Sequence, residues 1–460
     1  MKGMSYFVLE DVSARDDNES TLLFRTHPFS TWGVRFSGFA PCIEYRYEKI
    51  IPTSIFFSYD NRLGSTGSPG GSNFEKKFKK LRKKQVEEFG KTKRIFKYPV
   101  ATVIVLAVII AGLLQYPRLL AGVFFGADTL PVEISLRSLY EPRETDGRTR
   151  AIVAASDAFL NSLDDQQKQA VMYAFDDNAQ RSNWSNLPES IVPRGGLKIG
   201  RLAREQRALL DALLGEIMSK KGAQNIDYQL AAEDAIPSGK FFEYHSEDFY
   251  VAFLGEPSVS RPWMFQFGGH HLAINVTIYG ADVTFSPMLT GGQPLHIHYG
   301  GKDVFIIEEE VKAAQALMDS LSAQQQEIVV RDTEPVGLLL GPGKYGEMIA
   351  PEGIRGSDLT EVQKQLLLKL IDARLSFINS DDHAEKMATV AAELDDTYFG
   401  WWGKTTGKPG FSYFRVTAPS TVLEYSPQDD VDTDGEIGHV HSMYRNPQND
   451  YGSAWIEDKK

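Results

Sequence analysis

From residue 150 onward the hydrophobic positions change period several times. Leucine and alanine form a short helical seam over 151–174. Over 201–219 Leu209, Leu210 and Leu213 fall on one helical face. Aromatic and β-branched runs follow at 249–254, 263–267 and 272–279 and read as strands. The succession then repeats, with helices over 309–330 and 359–378, an added helix over 383–394, and strands over 397–402, 411–416 and 420–425. The links between strands are too short for crossovers. Pairing is therefore antiparallel and the fold class is α+β.

The repetition reaches residue identity. Ala158, Ser162, Leu163, Gln166 and Gln167 recur 158 positions later as Ala316, Ser320, Leu321, Gln324 and Gln325, and Pro193-x-Gly195 recurs as Pro351-x-Gly353. Gln206, Leu209, Leu210 and Leu213 recur 157 positions later as Gln363, Leu366, Leu367 and Leu370. Further on, 249–255 resembles 398–403, and His296-Ile-His298 resembles His439-Val-His441 at a separation of 143. Five matches in one order predict two pseudo-symmetric halves, about 150–300 and 309–452. Each half is built helix, helix, antiparallel strands, and the two sheets meet or join.

A different pattern precedes this region. Residues 75–97 hold eleven Lys/Arg and three Glu, and 98–114 is an unbroken apolar run of 17 residues, near the lower limit for a spanning helix. A second apolar piece runs to Ala127. The basic flank predicts a single-pass transmembrane anchor over 98–127, with the N-terminus cytoplasmic and 128–460 extracytoplasmic. A cleaved signal segment and a buried core helix are the alternatives. Residues 1–74 show no sustained period and include the linker-like 64–72; no function is assigned to them.

Composition narrows the function classes. The net charge is −12, and 128–460 carries 30 basic against 50 acidic residues, which argues against nucleic-acid binding. The one cysteine, Cys42, excludes an internal disulfide framework and multi-cysteine metal sites. No phosphate-binding loop, nucleophile elbow, kinase set or dinucleotide fingerprint is present.

The histidines carry the candidate chemistry. Six of nine fall in three clusters, His270/His271, His296/His298 and His439/His441. In extended chain, residues i and i+2 face the same way, so each H-x-H can aim two imidazoles at one point, whereas His270 and His271 point oppositely and only one joins a shared site. Asn275 aligns with Glu424 at a separation of 149, which makes Glu424 a candidate carboxylate ligand. The expected metal set is His271, Glu424, His439 and His441, with His270, His296 and His298 as weaker members. Such a set suits a divalent zinc, copper, iron or manganese ion. Arg445 and Asp450 are candidates for binding an anionic substrate group and orienting an imidazole, Asp396 (beside Asp395) for acid catalysis, and Trp401 and Trp402 for lining a pocket for a small molecule or saccharide.

The segments Gly-His270-His271-Leu-Ala-Ile-Asn275, Asp395-Asp396-Thr-Tyr-Phe-Gly-Trp401-Trp402-Gly, Leu-Glu424-Tyr425 and His439-Val-His441-Ser-Met-Tyr-Arg445-Asn-Pro-Gln-Asn-Asp450-Tyr-Gly452 give the chain its resemblance to a bacterial family known as domain of unknown function 3500. The resemblance spans roughly 150–455. It implies no activity, and the family's pattern has no histidine pair at His296 and His298. Three function classes stay open. One is an extracytoplasmic metal-dependent enzyme, a hydrolase in preference to an oxidoreductase. The second is a non-catalytic module that binds a ligand or metal, and the third is an envelope scaffold.

Overall fold

The computed structural model describes residues 132–237, 244–428, 431–432 and 434–458, together with three strands nearer the N-terminus. The basic segment 75–97 and the apolar segment 98–127 lie outside the described residues. Among the described residues no helix is long and apolar enough to cross a membrane. Val8–Asp11, Glu19–Arg25 and Thr31–Ser37 form a three-stranded antiparallel sheet within a unit of their own. The adjacent apolar residues Leu22, Leu23 and Phe24 break the two-residue alternation, so no strand is read there from the sequence.

The remaining unit is mixed α+β. Its first half contains helices α1 (Gly147–Asn161), α2 (Arg204–Ile217) and α3 (Lys220–Ala235) and strands β1 (Tyr250–Leu254), β2 (Trp263–Gly268), β3 (Ala273–Tyr279) and β4 (Met288–Gly292). The second half contains α4 (Glu308–Ser320), α5 (Glu361–Leu375), α6 (Ser380–Ala392), β5 (Tyr398–Trp402), β6 (Tyr413–Thr417), β7 (Val422–Pro427) and β8 (Val440–Arg445). The eight strands join one sheet in the order β5–β6–β7–β8–β4–β3–β2–β1. A short strand runs parallel to each outer member, Val330–Asp332 beside β5 and Met172–Tyr173 beside β1. The order therefore reads the same from either edge.

The recurring glutamines have a structural task. Gln167 and Gln206 exchange carboxamide hydrogen bonds, and Gln206 also donates to the Ser162 carbonyl at 2.8 Å. Gln325 and Gln363 exchange the same bonds, with Gln363 donating to the Ser320 carbonyl at 2.9 Å. Each glutamine also accepts from the backbone N–H of the residue just before its own helix, so one side chain caps one helix and ties it to the next.

Helices cover one face of the sheet. Phe253, Phe265, Ile274, Phe414, Leu423 and Tyr425 share a core with helix residues such as Leu210, Leu213, Leu367 and Leu370. Irregular segments cover the other face. Trp184 packs there on Ala273, Leu289 and Met443, and Val132, Ile134, Tyr451 and Ile456 pack on Leu254 and Met264. Strands buried on both faces need no polar alternation, which is why they read as continuous apolar runs.

Four expectations change. The helices expected at 151–174 and 309–330 each break in two, because capping boxes at Asp164/Gln167 and Ser322/Gln325 start a new short helix. The helix near 383–394 is not an addition, since α6 has a counterpart in α3. That counterpart buries Asn225, Gln229 and Glu233 beside Ile226 and Leu230, so polar residues interrupt its apolar stripe. The strand β4, Met-Leu-Thr-Gly-Gly, has no strand-like composition yet lies at the centre of the sheet. Finally, His296 and His298 do not occupy the place of His439 and His441. They lie on a separate hairpin, His296–Tyr299 with Lys302–Phe305, and β4 is the strand opposite β8.

Candidate metal centre

Two strand registers bring histidines from both halves to one end of the sheet. Leu289 of β4 stands opposite Ala273 of β3 on one side and Met443 of β8 on the other. His271 lies two residues before Ala273, and His441 two residues before Met443. The β4 residue opposite His441 is Gly291. Strands two apart are separated by roughly 9.5 Å, twice the interstrand spacing, and the side chain between them normally fills that gap. At Gly291 the Val440 carbonyl stands where a side chain would begin. A Cβ at Gly291 would stand 2.1 Å from the Val440 carbonyl oxygen, so no other residue fits this strand pair without displacing its backbone.

His271 sits at the tip of the β2–β3 hairpin, where the Gly269 amide donates to the Leu272 carbonyl at 2.9 Å. Its φ of 57° is left-handed, a conformation that costs a non-glycine residue on the order of 1–3 kcal/mol and persists where the surroundings enforce it. The imidazole thereby turns toward β8. His271 Nε2 is 2.9 Å from His439 Nε2, and His439 Nε2 is 3.3 Å from His441 Nε2. Three nitrogens bound to one ion at about 2.0–2.1 Å in tetrahedral geometry lie about 3.3 Å apart, so the trio has the dimensions of a ligand set.

The electrostatics match. Burial, then the neighbouring histidines, hold His271 and His441 well below the usual imidazole range, so both are neutral, which is the ligating form. His441 Nδ1 lies 3.5 Å from the Asn186 amide nitrogen. The same amide turned over would set its oxygen against Nδ1, accept the Nδ1 proton and leave the Nε2 lone pair free. His270 lies beside His271 rather than pointing away from it. Its Nδ1 lies 3.0 and 3.2 Å from the two carboxylate oxygens of Glu233 on α3, and its ring stacks on His271 at 3.6 Å and on Tyr244 at 5.5 Å. Two groups have ligand atoms close enough to hold an ion, His271/His439/His441 and Glu233/His270/His271.

The other expected site residues lie elsewhere. Glu424 is fully buried, but its carboxylate accepts from the Leu339 and Leu340 amides at 2.9 and 2.7 Å and from the Tyr413 hydroxyl at 2.7 Å, which removes it from the ligand set. Its alignment with Asn275 does hold as a matter of position, since each is the third residue of its strand. Arg445 does not face an open site. It forms a buried ion pair with Asp450 and donates to the carbonyls of Leu340 and Gly341, while Asp450 also accepts from the Ser286 hydroxyl. Burial pushes the Asp450 carboxyl up. Asp396 is a surface residue paired with Arg355, and Asp395 pairs with Lys364. Trp401 is core, stacked on Phe414 at 6.0 Å with its Nε1–H donated to the Lys404 carbonyl, and Trp402 packs against Tyr413 and under Arg415. Both are buried on β5, three strands away from β8. His296 bonds Asp432 at 2.9 Å, and His298 bonds Asp303 at 2.9 Å on the surface.

Sequence reasoning missed Glu233 and Asn186. A signal for the first existed, because Glu233 and Glu393 end matching helices 160 positions apart. Asn186 sits in an irregular segment with no periodic or spacing signal. A family described as protein of unknown function (DUF3500) matches this chain over residues 145–453. No curated protein and no solved structure matches it.

Proposed function

We propose that this chain, which belongs to the family described as protein of unknown function (DUF3500), is a metalloprotein whose His271, His439 and His441 hold one divalent ion through Nε2. The observation that carries the reading is the convergence of three Nε2 atoms from two halves of the chain, separated by 168 positions. Three neutral imidazoles leave the ion's double charge uncompensated and a fourth position open. In such a set zinc activates water for hydrolysis, and a hydrolase is the activity we favour. His271 and His441 supply lone pairs that stay unprotonated at neutral pH, and the left-handed turn at His271 fixes its direction before any ion arrives. All-imidazole ligation also suits copper, for which oxidation replaces hydrolysis, so the metal's identity divides the two activities.

Elemental mass spectrometry of the purified full chain tests this. The expected result is close to one zinc per chain, absent from a His439→Ala/His441→Ala variant whose circular dichroism is unchanged. A chain that stays metal-free after incubation with zinc, copper, iron and manganese ends the proposal.

We further propose that 98–127 anchors the chain in a membrane with 128–460 on the extracytoplasmic side, on the strength of the basic flank and the apolar run. Protease protection of the C-terminal domain in sealed spheroplast-derived vesicles tests the orientation. A duplication is supported by the palindromic strand order and by the paired glutamine bonds.

A further inference from the structure

We infer that Glu233 is a positioning residue for the His271 ligand and acts through His270. The inference rests on the metal reading above. Glu233 and His270 are 5% and 7% exposed, and both carboxylate oxygens face His270 Nδ1. Among the described residues Glu233 is the only hydrogen-bond partner of the His270 ring. Glu233 comes from the last turn of α3, whose start is fixed by the Ser219 cap. The carboxylate therefore holds the His270 ring from a rigid element, and Tyr244 closes its outer face. The ring lies flat against His271, at 3.6 Å and an interplanar angle of 30°. Turning His271 away from His439 would require moving His270, and moving His270 would break its bond to Glu233.

The second half contains the same clamp without a histidine. Glu393, 160 positions after Glu233, accepts from the Ser420 amide at 3.0 Å and from the Ser420 hydroxyl at 2.7 Å. Ser420 occupies the hairpin position of His271, 149 residues on. An acid at the end of the third helix of each half, α3 or α6, thus grips the hairpin tip in both halves, and needs no ion to do so. This favours a holding role for Glu233 over direct ligation, although Glu233, His270 and His271 also lie within ligating reach of one another.

Zinc affinity, measured by chelator competition on the full chain, and the visible spectrum of the cobalt-loaded chain decide the matter. Glu233→Ala is expected to weaken zinc binding by about 10- to 100-fold, the usual cost of losing a partner behind a ligand, and to change the cobalt bands. Glu233→Gln, which keeps an oxygen facing Nδ1, should restore affinity and spectrum nearly to wild type. Glu393→Ala should lower the melting temperature but leave both metal readouts unchanged. Wild-type affinity and spectrum in Glu233→Ala would overturn the inference and leave the metal reading intact. An equal loss of affinity in Glu393→Ala would overturn it as general loosening. Two ions on the wild-type chain and one on Glu233→Ala would overturn it by making Glu233 a ligand. A wild-type chain that binds neither metal removes this inference and the metal reading together.

Discussion

The hairpin tips of β2–β3 and β6–β7 close with the same hydrogen bond but differ in turn and in chemistry, since His271 is left-handed and Ser420, at the equivalent position, is not. At the first, the Gly269 amide donates to the Leu272 carbonyl at 2.9 Å; at the second, Ala418 donates to Thr421 at 2.8 Å. Where the first has His270-His271, the second has Pro419-Ser420. Ser420 is fully engaged in holding the fold together, between Glu393 and the Lys386 ammonium. His271 instead faces the opposite half and meets His439 and His441. A hairpin tip thus serves as a structural corner in one half and presents an imidazole to the opposite half in the other. The histidine centre is built once, across the middle of the sheet, from unlike contributions.

The core under the central strands is asymmetric in the opposite sense. Arg374 of α5 is fully buried and donates to the Thr290 hydroxyl and to the carbonyls of Met288 and Ser442, while Ser442 donates to Glu310 of α4 at 2.8 Å. Burial pulls the Arg374 guanidinium down to about 10 and pushes the Glu310 carboxyl up. The matching positions in the first half, at separations of 157 and 158, are Ile217 and Ile152, both fully buried. The second half buries charge where the first buries isoleucine.

The largest expected effect is on the centre itself. His271→Ala should abolish metal binding, whereas Ser420→Ala at the equivalent tip should leave the metal content unchanged. Elemental mass spectrometry on both variants reads this, and equal retention would erase the distinction between the tips. Next comes the buried charge. Arg374→Met leaves Glu310 uncompensated and should cost about 3–5 kcal/mol in urea unfolding. The double replacement Arg374→Ile/Glu310→Ile copies the first half, and recovery of most of that loss would show that the charges are dispensable for stability. No recovery would show that the halves need different cores.

A smaller effect is expected at the second clamp. Glu393→Ala removes a carboxylate that accepts two hydrogen bonds from Ser420 and should cost about 1.5–3 kcal/mol by chemical denaturation. The last effect is a pH slope. Burial raises Asp382 on α6 from 3.8 to about 6, and its counterpart in α3 is Gly222. Between those two values the native state holds a proton that the unfolded chain has released, so stability falls as pH rises from about 4 to about 6, by at most about 1.4 kcal/mol per pH unit. Asp382→Asn should flatten the melting-temperature profile in that window. An unchanged slope would assign it to another group.

Much of the fold was legible because it is written locally. The leucines of α2 and α5 repeat at helical spacing, and the aromatic runs of β1–β3 and β5–β7 mark strands, each to within three residues of its observed start. Gln167 and Gln325 matched because each must cap a helix and tie it to the next. α3 and β4 were not legible. The one buries polar groups, and the other is a strand through partners that a local pattern cannot name. At the site, the His439/His441 pairing followed from i, i+2 spacing, whereas His270 and His271, expected to point oppositely, stack at 3.6 Å because the left-handed turn at His271 takes the tip out of extended geometry. Glu424 looked like a ligand because a carboxylate near histidines carries no sign, in sequence, of the backbone amides that occupy it. Trp401 and Trp402 looked like a pocket because an aromatic strand reads alike in core and cleft.

The sequence by itself therefore determined the helices, most strands, the twofold recurrence and the residue types able to bind a metal. These depend on spacings within a few residues or on identities repeated at a fixed offset. Only the tertiary structure decided which histidines meet. That depends on two registers across β4, on the missing side chain of Gly291 and on the left-handed turn at His271. A register between strands about 150 positions apart is set by the whole core packing at once, and no local pattern of hydrophobic and polar positions encodes it.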